Sequence, residues 1–153
     1  MAYGRKGHTS APEKAYKALP LEDRLALALR EHLSPEERAF ILHHEQWMQV
    51  RCYFARRADL SAAEIAVLLA DDDHVIRLCI AKRPDLNPEQ LAQCARDRDP
   101  NVRYFAARNP ALPEALRTAL LNDQDPLVQR AARRGPKTPR VVARPGQAPL
   151  IRS

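Results

Sequence analysis

The chain has 153 residues, 45% of them hydrophobic and 5% aromatic, which suits one domain whose core is built from Leu, Val, Ile and Ala rather than rings. Thirteen prolines beside four glycines argue against a turn-rich β fold and fit regularly placed helix starts. The net charge of +6 is concentrated at one end: residues 128–153 hold Arg130, Arg133, Arg134, Lys137, Arg140, Arg144 and Arg152 and no acidic residue, whereas residues 50–127 are close to neutral. Cys52, Cys79 and Cys94 form no CxxC, so free thiols in a reducing cytoplasm are expected rather than a disulfide framework. No apolar run reaches membrane-spanning length, and the opening MAYGRKGHTS lacks the apolar core of a secretory signal.

Residues 1–19 read as a disordered segment, with Gly4, Gly7, Ser10 and Pro12 and little apolar periodicity. A helix is expected over about Leu21–Leu33. Ser34-Pro35-Glu36-Glu37 is a capping box that starts a second, over about Pro35–Met48. Together, residues 20–49 are expected to form a helical cap, with His44, Trp47 and Met48 on its apolar face.

From Val50 the chain repeats every 26 residues. Val50, Ile76, Val102 and Val128 open the rows, and Arg51, Arg77 and Arg103 follow them. Leu60, Leu86 and Leu112 share a column, as do Asp71, Asp97 and Asp123, and Asp73, Asp99 and Asp125. Each row reads as two short helices. Asp99-Pro100 gives an N-cap and a first-position proline, Val102, Phe105 and Ala106 make one stripe, and Asn109-Pro110 ends the helix. The second helix starts near Pro113, and its third-row copy is expected to begin one residue early because Leu116 sits ahead of the Ile65/Leu91 column. Such a unit cannot bury its apolar face alone. The expected fold is therefore all-α: a short α-solenoid of stacked helix pairs over residues 50–136, with the N-terminal helical cap on one end and a basic disordered tail at 137–153 on the other.

The pattern Val-Arg-x-x-x-Ala-Arg-Asn-Pro-x-Leu-x-Glu at 102–114, followed by Asp-x-Asp-Pro-x-Val at 123–128, resembles the leucine-rich repeat variant family and the broader HEAT-like group. The resemblance implies a right-handed superhelix of paired helices. Some members of the variant family carry an iron–sulfur cluster in a cysteine-rich N-terminal segment; residues 1–49 here have no cysteine, so no cofactor is expected.

Two basic ladders are candidate sites. On a helical wheel Arg103 lies about 100° and Arg108 about 240° from Val102, so they flank different edges. The first ladder (Arg51, Arg77, Arg103) has aspartates to pair with, and in HEAT-like repeats this arginine bonds a loop aspartate; Asp73, Asp99 and Asp125 are the partners expected. The second ladder (Arg56, Lys82, Arg108, Arg134) faces no acidic column and is the better candidate for binding anions. Arg133, Lys137, Arg140 and Arg144 extend it into the tail, and Tyr104 is the aromatic residue expected at an interface. His43-His44 point about 100° apart and are expected to pack rather than to hold a metal. Cys79 and Cys94 replace apolar residues in their columns and read as core. There is no Gly-rich phosphate loop, GxSxG or HExxH, so no enzyme is indicated. The functional expectation is a non-enzymatic scaffold that binds a partner protein, with nucleic acid as the alternative partner through the basic ladder and tail.

Overall fold

Helix starts are written into the sequence at regular intervals, and nearly every one is used. The computed structural model describes residues 10–138. Among them are ten helices and no strand: α1 Ala11–Ala18, α2 Leu21–Leu29, α3 Pro35–His44, α4 Met48–Ala55, α5 Ala62–Leu69, α6 His74–Ala81, α7 Pro88–Ala95, α8 Pro100–Ala107, α9 Glu114–Leu120 and α10 Pro126–Arg134. Ser34 with Glu37, Ser61 with Glu64 and Asn87 with Gln90 form capping boxes for α3, α5 and α7. Asp73, Asp99 and Asp125 each accept the amide two residues on, at Val75, Asn101 and Leu127, and so cap α6, α8 and α10. Helices this short are marginal on their own, so packing must hold them.

The packing follows two series. Helices α2, α4, α6, α8 and α10 touch in that order, and so do α1, α3, α5, α7 and α9. Val50, Ile76, Val102 and Val128 are fully buried in the first series, each burial contributing roughly 1.5–3 kcal/mol. Ile65, Leu91, Leu60, Leu86 and Leu112 are buried too, as the column reading expects.

The flanks depart from expectation. Residues 11–18 are helical, not disordered: Ser10 caps α1, and Tyr16 is buried, stacked on Phe40 with ring centroids 5.9 Å apart. The Tyr16 hydroxyl donates to the Glu45 carboxylate, which has no exposed side-chain surface and also receives Arg24 at 3.2 Å. Ser10-Ala11-Pro12-Glu13 is a local helix start that the reading of a disordered segment passes over, and the tertiary contact of Tyr16 fixes the helix in place. Residues 1–9 lie outside the described part. Helix α3 stops at His44, four residues early, because Glu45 turns its carboxylate onto the amides of Gln46 and Trp47 and α4 begins at Met48. His44 and Trp47 are therefore exposed, Trp47 to 48%, and neither packs in the core.

Helix α2 ends at Leu29, short of Leu33, because its last carbonyls are taken by an arginine from the next row. Arg57 donates to the carbonyls of Ala28, Arg30 and Glu31. One row on, Arg83 donates to those of Ala55 and Arg57. In the third, Asn109 donates to those of Ala81 and Arg83, both at 2.8 Å. Arg57 is 0% and Arg83 2% exposed. The same fastening at each junction makes the segment expected to be a cap behave as one more row of the array.

The last junction is closed differently. The fourth-row equivalent of Asn109 is Gly135, which has no side chain to donate. Arg117 instead donates to the carbonyls of Ala107, Asn109 and Leu112 from within its own row. It is buried and takes the place held by Ile65 and Leu91. Helix α9 therefore starts in the ordinary column, at Glu114, and the expected early start is not seen; the displaced Leu116 reflects a substitution of arginine into the core column.

Candidate functional site: a cationic pocket

The first arginine ladder is paired with aspartates. Arg77 holds Asp97 through two bonds of 2.8 and 3.0 Å, and Arg103 holds Asp123 with the same pair of distances. Arg51 pairs with Asp71. The partners are the first aspartates of each loop, not Asp73, Asp99 and Asp125, which are occupied as helix caps. Arg77 also donates to the carbonyls of Asp71 and Asp72, tying the loop before its helix to the loop that closes its row. Burial alone would raise the Asp97 and Asp123 pKa values, but the paired guanidiniums and the amides of Asp99 and Asp125 more than offset it, leaving both below the usual carboxylate range. Gln129, in the arginine column of the fourth row, keeps only the carbonyl bond, to Asp123. Each arginine of this ladder is committed to a loop aspartate of its own row.

The second ladder is placed differently. Arg56, Lys82 and Arg108 are the C-cap residues of α4, α6 and α8, and Arg134 is the last residue of α10. Cations at helix C-termini are favoured by the partial negative charge there. Gly135 adopts φ 72, a conformation that glycine takes at little cost, and turns the chain back across the ladder. The Lys137 amide then donates to the Arg108 carbonyl at 2.8 Å, while the Arg108 guanidinium donates to the Gly135 carbonyl.

The result is a cavity of about 270 Å³ lined by Lys82, Pro84, Phe105, Arg108, Asn109, Pro110, Lys137 and Thr138. None of these is acidic. The Lys82 ammonium stands 4.0 Å from the Phe105 ring centroid, over its face. Burial lowers the Lys82 pKa, and the charges of Arg56 and Lys137 push the same way against the opposing influence of Cys79 and Cys52. A lysine whose charge is disfavoured by burial and by neighbouring cations is one that an anion would relieve.

Of the residues singled out in the sequence, Lys82, Arg108 and Lys137 converge on this cavity. Arg56 lies close enough to act on Lys82 but is not part of the wall. Tyr104 is half-buried, edge-on to Phe105 at 5.2 Å, and is not among the lining residues. Arg133 and Arg134 are exposed on the last turn of α10, away from the lining. Arg140 and Arg144 lie outside the described residues. Pro84, Pro110 and Phe105 were not recognisable as site residues, since their columns serve equally to end helices and fill the core. Among the described residues no helix is long and apolar enough to cross a membrane.

Comparison with family models, with curated proteins and with solved structures finds no match to this chain.

Proposed function

We propose that this chain is a non-enzymatic interaction module that holds an acidic segment of a partner protein against Lys82, Arg108 and Lys137. The observation that carries the reading is the convergence of three cations, with no carboxylate among the lining residues, on an apolar floor of Phe105, Pro84 and Pro110. An acidic side chain beside an apolar one satisfies both features. A nucleic-acid backbone satisfies only the first, and the near-neutral charge of residues 50–127 gives it little further attraction. In the same reading the helices stack as a short right-handed α-solenoid of the leucine-rich repeat variant or HEAT-like kind. The recurrence of one fastening, Arg57, Arg83 and Asn109 each donating to carbonyls of the row before, supports that stacking.

The test is fluorescence anisotropy with a short labelled peptide alternating glutamate and leucine, beside labelled duplex DNA and RNA, across a salt series. The peptide should bind, and Lys82→Glu with Arg108→Glu should weaken it by about tenfold or more. Tighter binding of nucleic acid than of peptide at physiological salt, or peptide binding indifferent to both substitutions, would overturn the assignment.

A further inference from the structure

Arg57, Arg83 and Asn109 each grip carbonyls of the row before, and the gripped residues set that row in register. Leu29 lies between Ala28 and Arg30, as Arg56 lies between Ala55 and Arg57 and Lys82 between Ala81 and Arg83. Leu29 therefore holds on α2 the place that the basic ladder holds on α4 and α6, and that Arg108 holds on α8. It is 47% exposed. One helical turn earlier, on the same face, stand Leu25, Cys52, Leu78 and Tyr104, each half-buried. Helices α2, α4, α6, α8 and α10 touch in that order, so both columns run from row to row without a gap.

The two columns change character along the array. On α2 both positions are leucine. On α4, α6 and α8 the inner position is apolar and the outer one is basic. On α10 both are arginine, Arg130 and Arg134, and both are exposed. Neither column contains an acidic residue. The strip is thus apolar at one end and cationic at the other, and the cationic pocket lies in its basic half, where Lys137 joins Lys82 and Arg108.

We propose that the strip from Leu29 to Arg108 is the docking track of one extended acidic segment of a partner protein, with an apolar residue at one end and a carboxylate at every third residue after it. The proposal rests on the acidic-segment reading above and adds register and polarity to it. The spacing follows from two dimensions. Packed helices lie about 8–10 Å apart. An extended chain advances about 3.3 Å per residue, so about three residues carry it from one row to the next. The apolar residue meets Leu25 and Leu29, and the carboxylates meet Arg56, Lys82 and Arg108 in turn. A cavity of about 270 Å³ admits side chains, but it does not admit a helix about 10 Å across. Residues 139–153 of this chain hold Arg140, Arg144 and Arg152 and no acidic residue, so their charge does not complement the track.

The test titrates labelled ten-residue peptides against the full chain by fluorescence anisotropy. The first peptide has a leading leucine and glutamates three, six and nine residues later, with serine and glycine between. The second has the same composition with its glutamates two apart. The third repeats the first with glutamate in place of the leucine. The first should bind about fivefold tighter than the second, the order of one exposed ion pair in each register. It should also bind tighter than the third. Leu29→Arg, a substitution at an exposed position, should reverse that last preference. Equal affinity for the two spacings, or a preference for leucine that survives Leu29→Arg, would overturn the track and leave the acidic-segment reading in place. Failure of the parent chain to bind any of the three would overturn both. The comparison of spacings uses the parent chain and stands whether or not the variant folds.

Discussion

Arg83 donates to the main-chain carbonyl of Arg57, its own counterpart in the preceding row. One buried guanidinium holds the backbone of another, and each is also braced by the aspartate two residues on, Asp85 and Asp59. The bond recurs at the next junction, where Asn109 donates to the carbonyl of Arg83. The rows are thus joined by buried polar bonds as well as by the apolar core. Arg83→Ala leaves the carbonyls of Ala55 and Arg57 without these donors and should cost about 3 kcal/mol, the order expected for two buried acceptors left unsatisfied. Arg83→Asn copies the solution used at Asn109 and should lose less than half as much. Urea denaturation of both variants checks this; equal losses would mean the carbonyl bonds are not what Arg83 contributes.

Arg117 occupies a column otherwise filled by Ile65 and Leu91, so Arg117→Leu restores the apolar pattern of the array. It should nonetheless destabilise the chain by about 2–3 kcal/mol, because the Ala107 carbonyl loses the guanidinium where Gly135 can offer no donor, and Asn109 keeps only the Leu112 amide. A neutral or stabilising result in thermal unfolding would show that water serves those carbonyls equally well.

These two cases mark the limit of what the sequence reveals. The apolar columns, the Asp-Pro caps and the capping boxes are legible because each obeys a local rule of spacing or turn chemistry. Arg57, Arg83 and Asn109 are not, because arginine is ordinarily solvated and asparagine does not resemble it. Only the shared position of their carbonyl partners, one row back, shows that they serve one purpose. Helix α1 has a local start at Ser10-Ala11-Pro12-Glu13, but its docking is hidden for a related reason: the contact of Tyr16 with Glu45 joins residues 29 positions apart. The cationic pocket was half legible. Lys82, Arg108 and Lys137 stood out for want of acidic neighbours, but the floor and the turn at Gly135 that closes it follow from packing.

The Glu45 carboxylate gathers Tyr16, Arg24 and the amides of Gln46 and Trp47. Glu45→Ala should cost about 3–5 kcal/mol, since it strands a buried tyrosine hydroxyl and leaves Arg24, still bonded to the carbonyls of Lys17 and Leu19, without its counter-charge. Tyr16→Phe keeps the ring on Phe40 and should cost only about 1 kcal/mol. Amide hydrogen exchange offers the sharper readout: in Glu45→Ala the amides of α1 should exchange at nearly unfolded rates while those of α8 stay protected. Uniform loss of protection would contradict a local role.

Asp59, Glu64, Asp97 and Asp123 all have pKa values lowered in the folded chain, burial being outweighed by paired arginines and capping amides. A lowered folded pKa adds stability that is fully present above the unfolded value and is lost as pH falls through the folded one. Stability should therefore be level from neutral pH to about 5 and fall steeply below about 4. Asp97→Asn should lower the urea midpoint at pH 7 and should differ much less from the parent chain at pH 3. A constant gap between the two chains across that range would show that the Arg77 pairing does not carry the acid dependence.

The fastening between rows reads only main-chain oxygen atoms. Arg57, Arg83 and Asn109 do not inspect the side chains of the row they grip, so this one fastening is indifferent to the sequence of the receiving row. The specificity of which row meets which is left to the apolar core and to side-chain pairs such as Arg38 with Glu64, while the final row closes its own end through Arg117.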